Sequence, residues 1–140
     1  MIVSDFAAGF GEADITPPPG LPLSGFVFRE NQLSAGIDSA LNVRVLAMRQ
    51  HGSVHWLISY EVLAISATLE QHILAALEAG IGQDFSRSHA VLTATHTHSA
   101  PPTSPLEGEG EPDTAYGQML CEHTVRAARQ ALQSLRPAWL

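Results

Sequence analysis

Two histidines separated by one residue, His96 and His98, are the strongest candidates for a catalytic or metal-binding role in this sequence. They follow an apolar, strand-like segment, residues 89–93, and precede a stretch of prolines, glycines and carboxylates. Side chains two apart on a strand point to the same side, so we expect both imidazoles to face one site if the strand continues through His98. Neutral imidazole is a common ligand of zinc and related divalent ions. The spacing therefore predicts two metal ligands, or one ligand and one neighbouring histidine. The alternative is a pair of polar residues that hydrogen-bond to backbone or water at a strand end.

The elements predicted around this pair form a sheet covered by helices. Residues 7–15 are typical of a first strand, and residues 42–50 and 54–60 predict a β-hairpin around a turn at residues 51–53. Ser66 is expected to cap a helix that ends near Gly80, and Asp113 or Thr114 a second helix with one apolar face. The order β, β-hairpin, α, β, α predicts an α/β fold with a mixed sheet flanked by helices. We interpret it as an incomplete part of a larger α/β domain.

Glu61 is a carboxylate inside an apolar segment, residues 54–65, that we expect to be one strand. Burying an unpaired carboxylate costs several kcal/mol, so Glu61 should find a partner or stand at a strand end that faces a cleft. In sheets with parallel strands, the ligand crevice lies beyond the carboxyl ends of the strands. The predicted order therefore places Glu61 close to His96 and His98, as a residue beside the metal ligands.

Composition narrows the classes of function. The chain of 140 residues is the length of one domain, and its formal charge of −7 argues against nucleic acid as a partner. No apolar run approaches the about 20 residues that span a bilayer, and residues 1–6 do not resemble a signal peptide. As written, the chain is predicted to be cytoplasmic, with secretion or membrane association left open for a longer precursor. Residues 135–140 look like a helix exit followed by the start of a strand, which predicts that residues 1–140 are the N-terminal segment of a longer chain.

Three blocks together resemble the neutral/alkaline non-lysosomal ceramidases. Residues 9–18 (GFGEADITPP), followed by residues 22–26 (PLSGF), are similar to the opening of that family. Residues 94–101 (ATHTHSAP) resemble its most characteristic N-terminal motif, and residues 36–46 and 58–66 are similar to the strands between them. The resemblance runs from about Ala8 to Leu140 and covers only the first part of the family's catalytic domain.

The resemblance implies a zinc-dependent amidase that cleaves the N-acyl bond of ceramide to sphingosine and a fatty acid. On that basis His96 is a zinc ligand, and His98 lies beside the metal and touches the substrate or the developing oxyanion. In the family the other ligands (a histidine, a glutamate and a tyrosine) and a serine in a Gly-Asp-x-Ser-Pro motif come from later sequence. The resemblance thus predicts that Zn²⁺ and the remainder of a longer chain are needed and that the isolated piece is inactive, with a ceramide-like lipid amide as the substrate.

This sequence departs from the family pattern at several positions. It has Asp38-Ser39-Ala40-Leu41 where members usually have a pattern like His-Asp-Pro-Leu, and Glu61 where members commonly carry aspartate. The acidic loop, residues 106–113, contains four carboxylates and has no counterpart in the pattern. Two alternatives therefore stay open: a non-catalytic domain that keeps the fold, and a metal-dependent hydrolase acting on a different amide or ester.

Overall fold

The computed structural model describes residues 5–29 and 32–139 and has the predicted order of strands and helices. The strands are β1 (Ala7–Asp14), β2 (Asn42–Gln50), β3 (Ser53–Tyr60), β4 (Ala90–Ala94) and β5 (Arg136–Pro137). The helices are α1 (Ala67–Ile81), between β3 and β4, and α2 (Thr114–Gln133), between β4 and β5. The α/β fold class predicted from the sequence is confirmed.

The five strands form one mixed sheet in the order β4-β3-β2-β1-β5. Strands β3 and β4 are parallel, and the other neighbours are antiparallel. His51 and Gly52, both with positive φ (49° and 80°), make the tight turn of the β2–β3 hairpin. Strand β5 pairs with β1 through Ala8 and Arg136, so the strand start predicted at the end of the chain is confirmed. Because β3 and β4 are parallel, both end at the same edge of the sheet.

Both helices cover one face of the sheet, and the core lies beneath them. The side chains that point to this face alternate along β1, β2 and β3 and are buried. Ser66 caps α1 by accepting from the backbone N–H of Leu69, and Asp113 caps α2 by accepting from that of Tyr116. The two caps predicted from the sequence are confirmed, and each relieves unpaired N–H groups in a first turn.

Strand β1 approaches α2 unusually closely at two glycines. A Cβ atom on Gly9 would lie 2.0 Å from the carbonyl oxygen of Ala131, and one on Gly11 would lie 1.9 Å from that of Ala127. Any side chain here would push the helix off the sheet. Glycine at both positions therefore allows α2 to pack directly on the backbone of β1.

The opposite face of the sheet carries a row of apolar side chains. Phe10, Leu46, Leu57 and Val91 are cross-strand neighbours on four adjacent strands. Phe10, Leu57 and Val91 are exposed by 51%, 41% and 60%. Both long helices pack on the other face of the sheet within the described part of the chain.

Two sequence expectations about the ends of strands are wrong. Strand β3 ends at Tyr60 rather than at residue 65, because the chain bends over residues 61–63. Strand β4 ends at Ala94 and does not continue through His98. Phe26 and Phe28 are exposed by 37% and 79%. No helix in the described ranges is long and apolar enough to cross a membrane.

Candidate functional site

The segment that carries the two histidines is held against the exit of β3. After β4 ends, the backbone N–H of Thr95 donates to the carbonyl of Tyr60 at 2.9 Å, and that of His96 donates to the carbonyl of Val62 at 3.0 Å. Backbone pairing thus continues for two residues beyond the regular strands. We call residues 95–101 the histidine loop. Since Tyr60 and Val62 are buried, this pairing fixes the start of the histidine loop relative to the core.

His96 has a backbone conformation that few side-chain-bearing residues adopt. Its φ is 66°, in the left-handed region, where non-glycine residues are uncommon and histidine is among the enriched exceptions. Its Nδ1 lies 2.9 Å from the carbonyl oxygen of Leu63. A carbonyl only accepts, so Nδ1 carries the proton, and in the neutral ring Nε2 presents its lone pair. Metal-binding histidines are typically oriented by this kind of bond to their other nitrogen.

The ring of His98 lies next to that of His96. Their centroids are 5.1 Å apart with the planes at 71°. The adjacency predicted from the sequence is found, but the reason given for it is wrong. The left-handed turn at His96 ends the strand pleat, so the rings meet across a loop rather than through the alternation of a strand. His98 is half-buried, whereas His96 is exposed.

Glu61 has partners on β2. Its Oε1 accepts from Arg44 Nη1 at 2.7 Å, and its Oε2 accepts from the backbone N–H of Asn42 at 2.7 Å. Burial opposes ionisation of this carboxyl, but the bonds from Arg44 and Asn42 outweigh it and hold its pKa below the ordinary value. The expectation that Glu61 would find a partner is therefore met by an ion pair that ties the end of β3 to β2. A role beside a metal stays a prediction.

A second segment, residues 24–29, packs against the histidine loop. The ring of Phe26 meets the ring of His98 edge to face at 5.0 Å, and Arg29 Nη1 donates to the backbone carbonyl of His98 at 2.8 Å. The contacts of these two residues with His98 were not predicted from the sequence. The only available signal was the position of Gly25-Phe26 in the block that resembles the ceramidase opening, and nothing in the sequence singled out Arg29.

The acidic loop also reaches this segment. The carboxylate of Glu109 accepts from the backbone N–H of Gly25, and Gly108 lies directly on the side chain of Val27. The loop therefore contacts the residues that surround His98.

The other histidines lie apart from this pair. His51 Nδ1 lies 2.5 Å from the exposed carboxylate of Asp5, His123 bonds to the backbone carbonyl of Asp14, and the rings of His55 and His89 stack at 4.5 Å. The stacked pair was not foreseen from the sequence. Within residues 5–29 and 32–139, no group of three or more histidines, cysteines or carboxylates is arranged to hold a metal. The donor set at His96 and His98 fits part of a zinc site, since such sites take three or four protein ligands.

A cleft of about 920 Å³ lies between the first turns of α1 and α2. Its lining includes Leu69, His72, Tyr116 and Cys121 but neither His96 nor His98. Burial raises the pKa of the Cys121 thiol, which lowers the share of the reactive thiolate. We do not assign the candidate metal site to this cleft, because the imidazoles of His96 and His98 lie outside it.

Comparisons with known proteins agree with this fold. Two solved structures, the neutral ceramidase from Pseudomonas aeruginosa and a structure described as a ceramidase complexed with C2, superpose on the chain with TM-scores of 0.84 and 0.83. Each is 23% identical to this chain, and the match covers 94% of this chain but 22% of theirs. The chain thus spans about a fifth of those proteins. No curated protein matches.

A family model provides the remaining finding. The model of the N-terminal part of the neutral/alkaline non-lysosomal ceramidases matches residues 6–138. That range contains the block at residues 9–18, the segment at residues 24–29 and the histidine loop. By this match over nearly its full length, the chain belongs to the neutral/alkaline non-lysosomal ceramidase family and corresponds to the N-terminal part of its members.

Proposed function

We propose that this chain is the N-terminal part of a zinc-dependent amidase that hydrolyses the N-acyl bond of ceramide or a related lipid amide. Membership of the family supports hydrolase chemistry, and the solved relatives are ceramidases. The observation that carries the proposal is the arrangement of His96. Its Nδ1 is bound to the carbonyl of Leu63, its Nε2 is left for a cation, and a second imidazole lies 5.1 Å away.

In this proposal His96 binds the zinc and His98 moves a proton. Zinc supplies Lewis acidity that polarises an amide carbonyl or brings the pKa of water close to about 7. Hydrolysis adds one water across the amide: the acyl carbon gains the oxygen, the C–N bond breaks, and the nitrogen leaves as an amine with an added proton. His98, half-buried beside His96, is placed to pass that proton or to donate to the developing oxyanion. The remaining zinc ligands are proposed to come from other parts of a longer chain, and residues 1–140 alone to lack turnover.

Two variants of the longest product of this gene separate the roles. His96→Ala should remove the zinc, present at about one per chain. His98→Ala should keep the zinc but lower the hydrolysis of a short-chain fluorescent ceramide by about 10²-fold or more. His72→Ala is the matched control, because His72 is exposed on α1, and it should change neither quantity. Stoichiometric zinc that His96→Ala leaves unaffected would refute the assignment.

The same measurements address the two alternatives. A product with neither zinc nor turnover is the result expected of a domain that has kept the fold and lost the chemistry. Zinc with no hydrolysis of ceramide, but with turnover of other N-acyl amides or of esters, is the result expected of a hydrolase with another substrate.

A further inference from the structure

The segment at residues 24–29 contacts the histidine loop through two residues, Ser24 and Gly25. Ser24 donates to the backbone carbonyl of Ala100 from its own N–H at 2.9 Å and from its hydroxyl at 3.0 Å. Gly25, with φ of 109°, lies so close to His98 that a Cβ atom would be 2.5 Å from the His98 Cα. The backbone of this segment is therefore in direct contact with the backbone of His98.

The guanidinium of Arg29 contacts the backbone of His98, the backbone of Ser24 and the ring of Phe26. Its Nη1 donates to the carbonyl of His98 at 2.8 Å and to the carbonyl of Ser24 at 3.2 Å, and its guanidinium carbon lies 4.7 Å from the centre of the Phe26 ring. Hydrogen bonds from a charged donor are stronger than those between neutral groups, and a cation over an aromatic ring is attracted to it. One planar cation thus fixes both the backbone of His98 and the ring that lies against its imidazole.

The imidazole of His98 depends on such neighbours for its orientation. Within the described residues neither of its ring nitrogens makes a hydrogen bond, in contrast to His96, whose Nδ1 is held by Leu63. Its ring contacts are the edge-to-face contact with Phe26 at 5.0 Å and the contact with His96 at 5.1 Å. The direction of the His98 ring is therefore set by its backbone and by its packing against Gly25 and Phe26, and Arg29 bonds to that backbone and lies over the Phe26 ring.

We propose that Arg29 is a positioning residue for His98: it holds the His98 carbonyl and the Phe26 ring so that the imidazole stays directed toward His96. The meaning of this role for catalysis rests on the function proposed above, but the geometry can be tested without it. Lysine would not replace Arg29 fully. A lysine ammonium can donate to the two carbonyls that Arg29 Nη1 bonds, but it lacks the planar guanidinium that lies over the Phe26 ring.

The test is NMR of this chain with labelled histidine. We expect Arg29→Gln to shift the ring C–H resonances of His98 and to weaken the cross-relaxation between the His96 and His98 rings, while the His123 resonances on α2 stay in place. Arg29→Lys should give an intermediate shift. Arg49→Gln is the matched control, because Arg49 is a strand arginine whose ion pair with Asp84 is exposed, and it should leave the His98 ring unchanged.

Three results would overturn the proposal: His98 resonances in folded Arg29→Gln that match the wild type, an equal shift in Arg49→Gln, or Arg29→Lys resonances identical to the wild type. Should Arg29→Gln fail to fold, as judged by circular dichroism, the lysine variant decides alone. Zinc added to the wild-type chain serves as a separate probe. If it perturbs neither histidine while the arginine variants still shift His98, the function proposed above is in question and the positioning role stands.

Discussion

The contact between β1 and α2 yields a prediction whose magnitude follows from the structure. In Gly11→Ala, the new Cβ would lie 1.9 Å from the carbonyl oxygen of Ala127, whereas real Cβ atoms essentially never come within 3.0 Å of another heavy atom. The obstacle is the backbone of a 20-residue helix, which cannot rotate away as a side chain can. The helix must therefore move outward, and its buried residues lose contact with the sheet.

Overpacking a core costs about 1–3 kcal/mol, occasionally more. We expect Gly11→Ala to lower the unfolding free energy by about 3 kcal/mol, the upper end of this range, because the whole helix must shift. Relative to the about 5–15 kcal/mol of a typical domain, this is a large loss. For a chain of this length it corresponds to a fall in Tm of about 10 °C.

Urea and thermal denaturation followed by circular dichroism measure this loss. The matched control is Gly36→Ala, since no atom lies within 4 Å of its Cβ position and its φ is not in the left-handed region. That substitution should change the unfolding free energy by no more than about 0.5 kcal/mol. A loss below about 1 kcal/mol in Gly11→Ala, with the control unchanged, would refute the close packing of α2 on β1.

Two further predictions concern buried or paired polar groups. The pKa of Glu61 is lowered because the bonds from Arg44 and Asn42 outweigh the opposing effect of burial. Its ionised form therefore stabilises the fold above the ordinary carboxyl value of 4.5, and this contribution disappears as the pH falls through the lowered pKa. Urea titrations of the wild type and of Glu61→Gln at several pH values measure this contribution as the difference between their unfolding free energies. We expect the difference to be constant near neutrality and to shrink in acid. A difference that grows in acid would contradict the ion pair. The hydroxyls of Tyr60 and Thr124 are 2.8 Å apart in the core, and Thr124 also donates to a helix carbonyl at 2.6 Å. Thr124→Val should cost about 1–3 kcal/mol by leaving the Tyr60 hydroxyl unpaired, Tyr60→Phe should cost less, and the double variant should cost less than the sum; strict additivity in denaturation experiments would exclude the bond.

Much of the fold could be predicted from the sequence because its signals are local. The caps at Ser66 and Asp113 bond to N–H groups three residues ahead, and His51 and Gly52, which make the tight turn with positive φ, are neighbours in the sequence. The alternation of apolar residues in β2 and β3 likewise needs only neighbours along the chain. These local signals were enough to predict the α/β order of strands and helices. The motif at residues 94–101, together with the block at residues 9–18, was enough to indicate the family, and it contains the two candidate histidines.

The geometry around the histidines depends on contacts between distant parts of the chain. The left-handed turn at His96 is accompanied by bonds to Val62 and Leu63, some thirty residues earlier, and no periodicity in the sequence encodes where those carbonyls lie. Strand alternation therefore predicted the right neighbours for the wrong reason.

The position of each helix and strand along the chain could be predicted locally, because propensity, capping and alternation act over a few residues. The pairing of Glu61 with Arg44, and the bond from Arg29 to His98 across 69 positions, became visible only in the folded chain. Such pairings follow from the register of the sheet and from loops that cross it. They depend on where the whole chain brings two backbones together, which no single stretch of residues specifies.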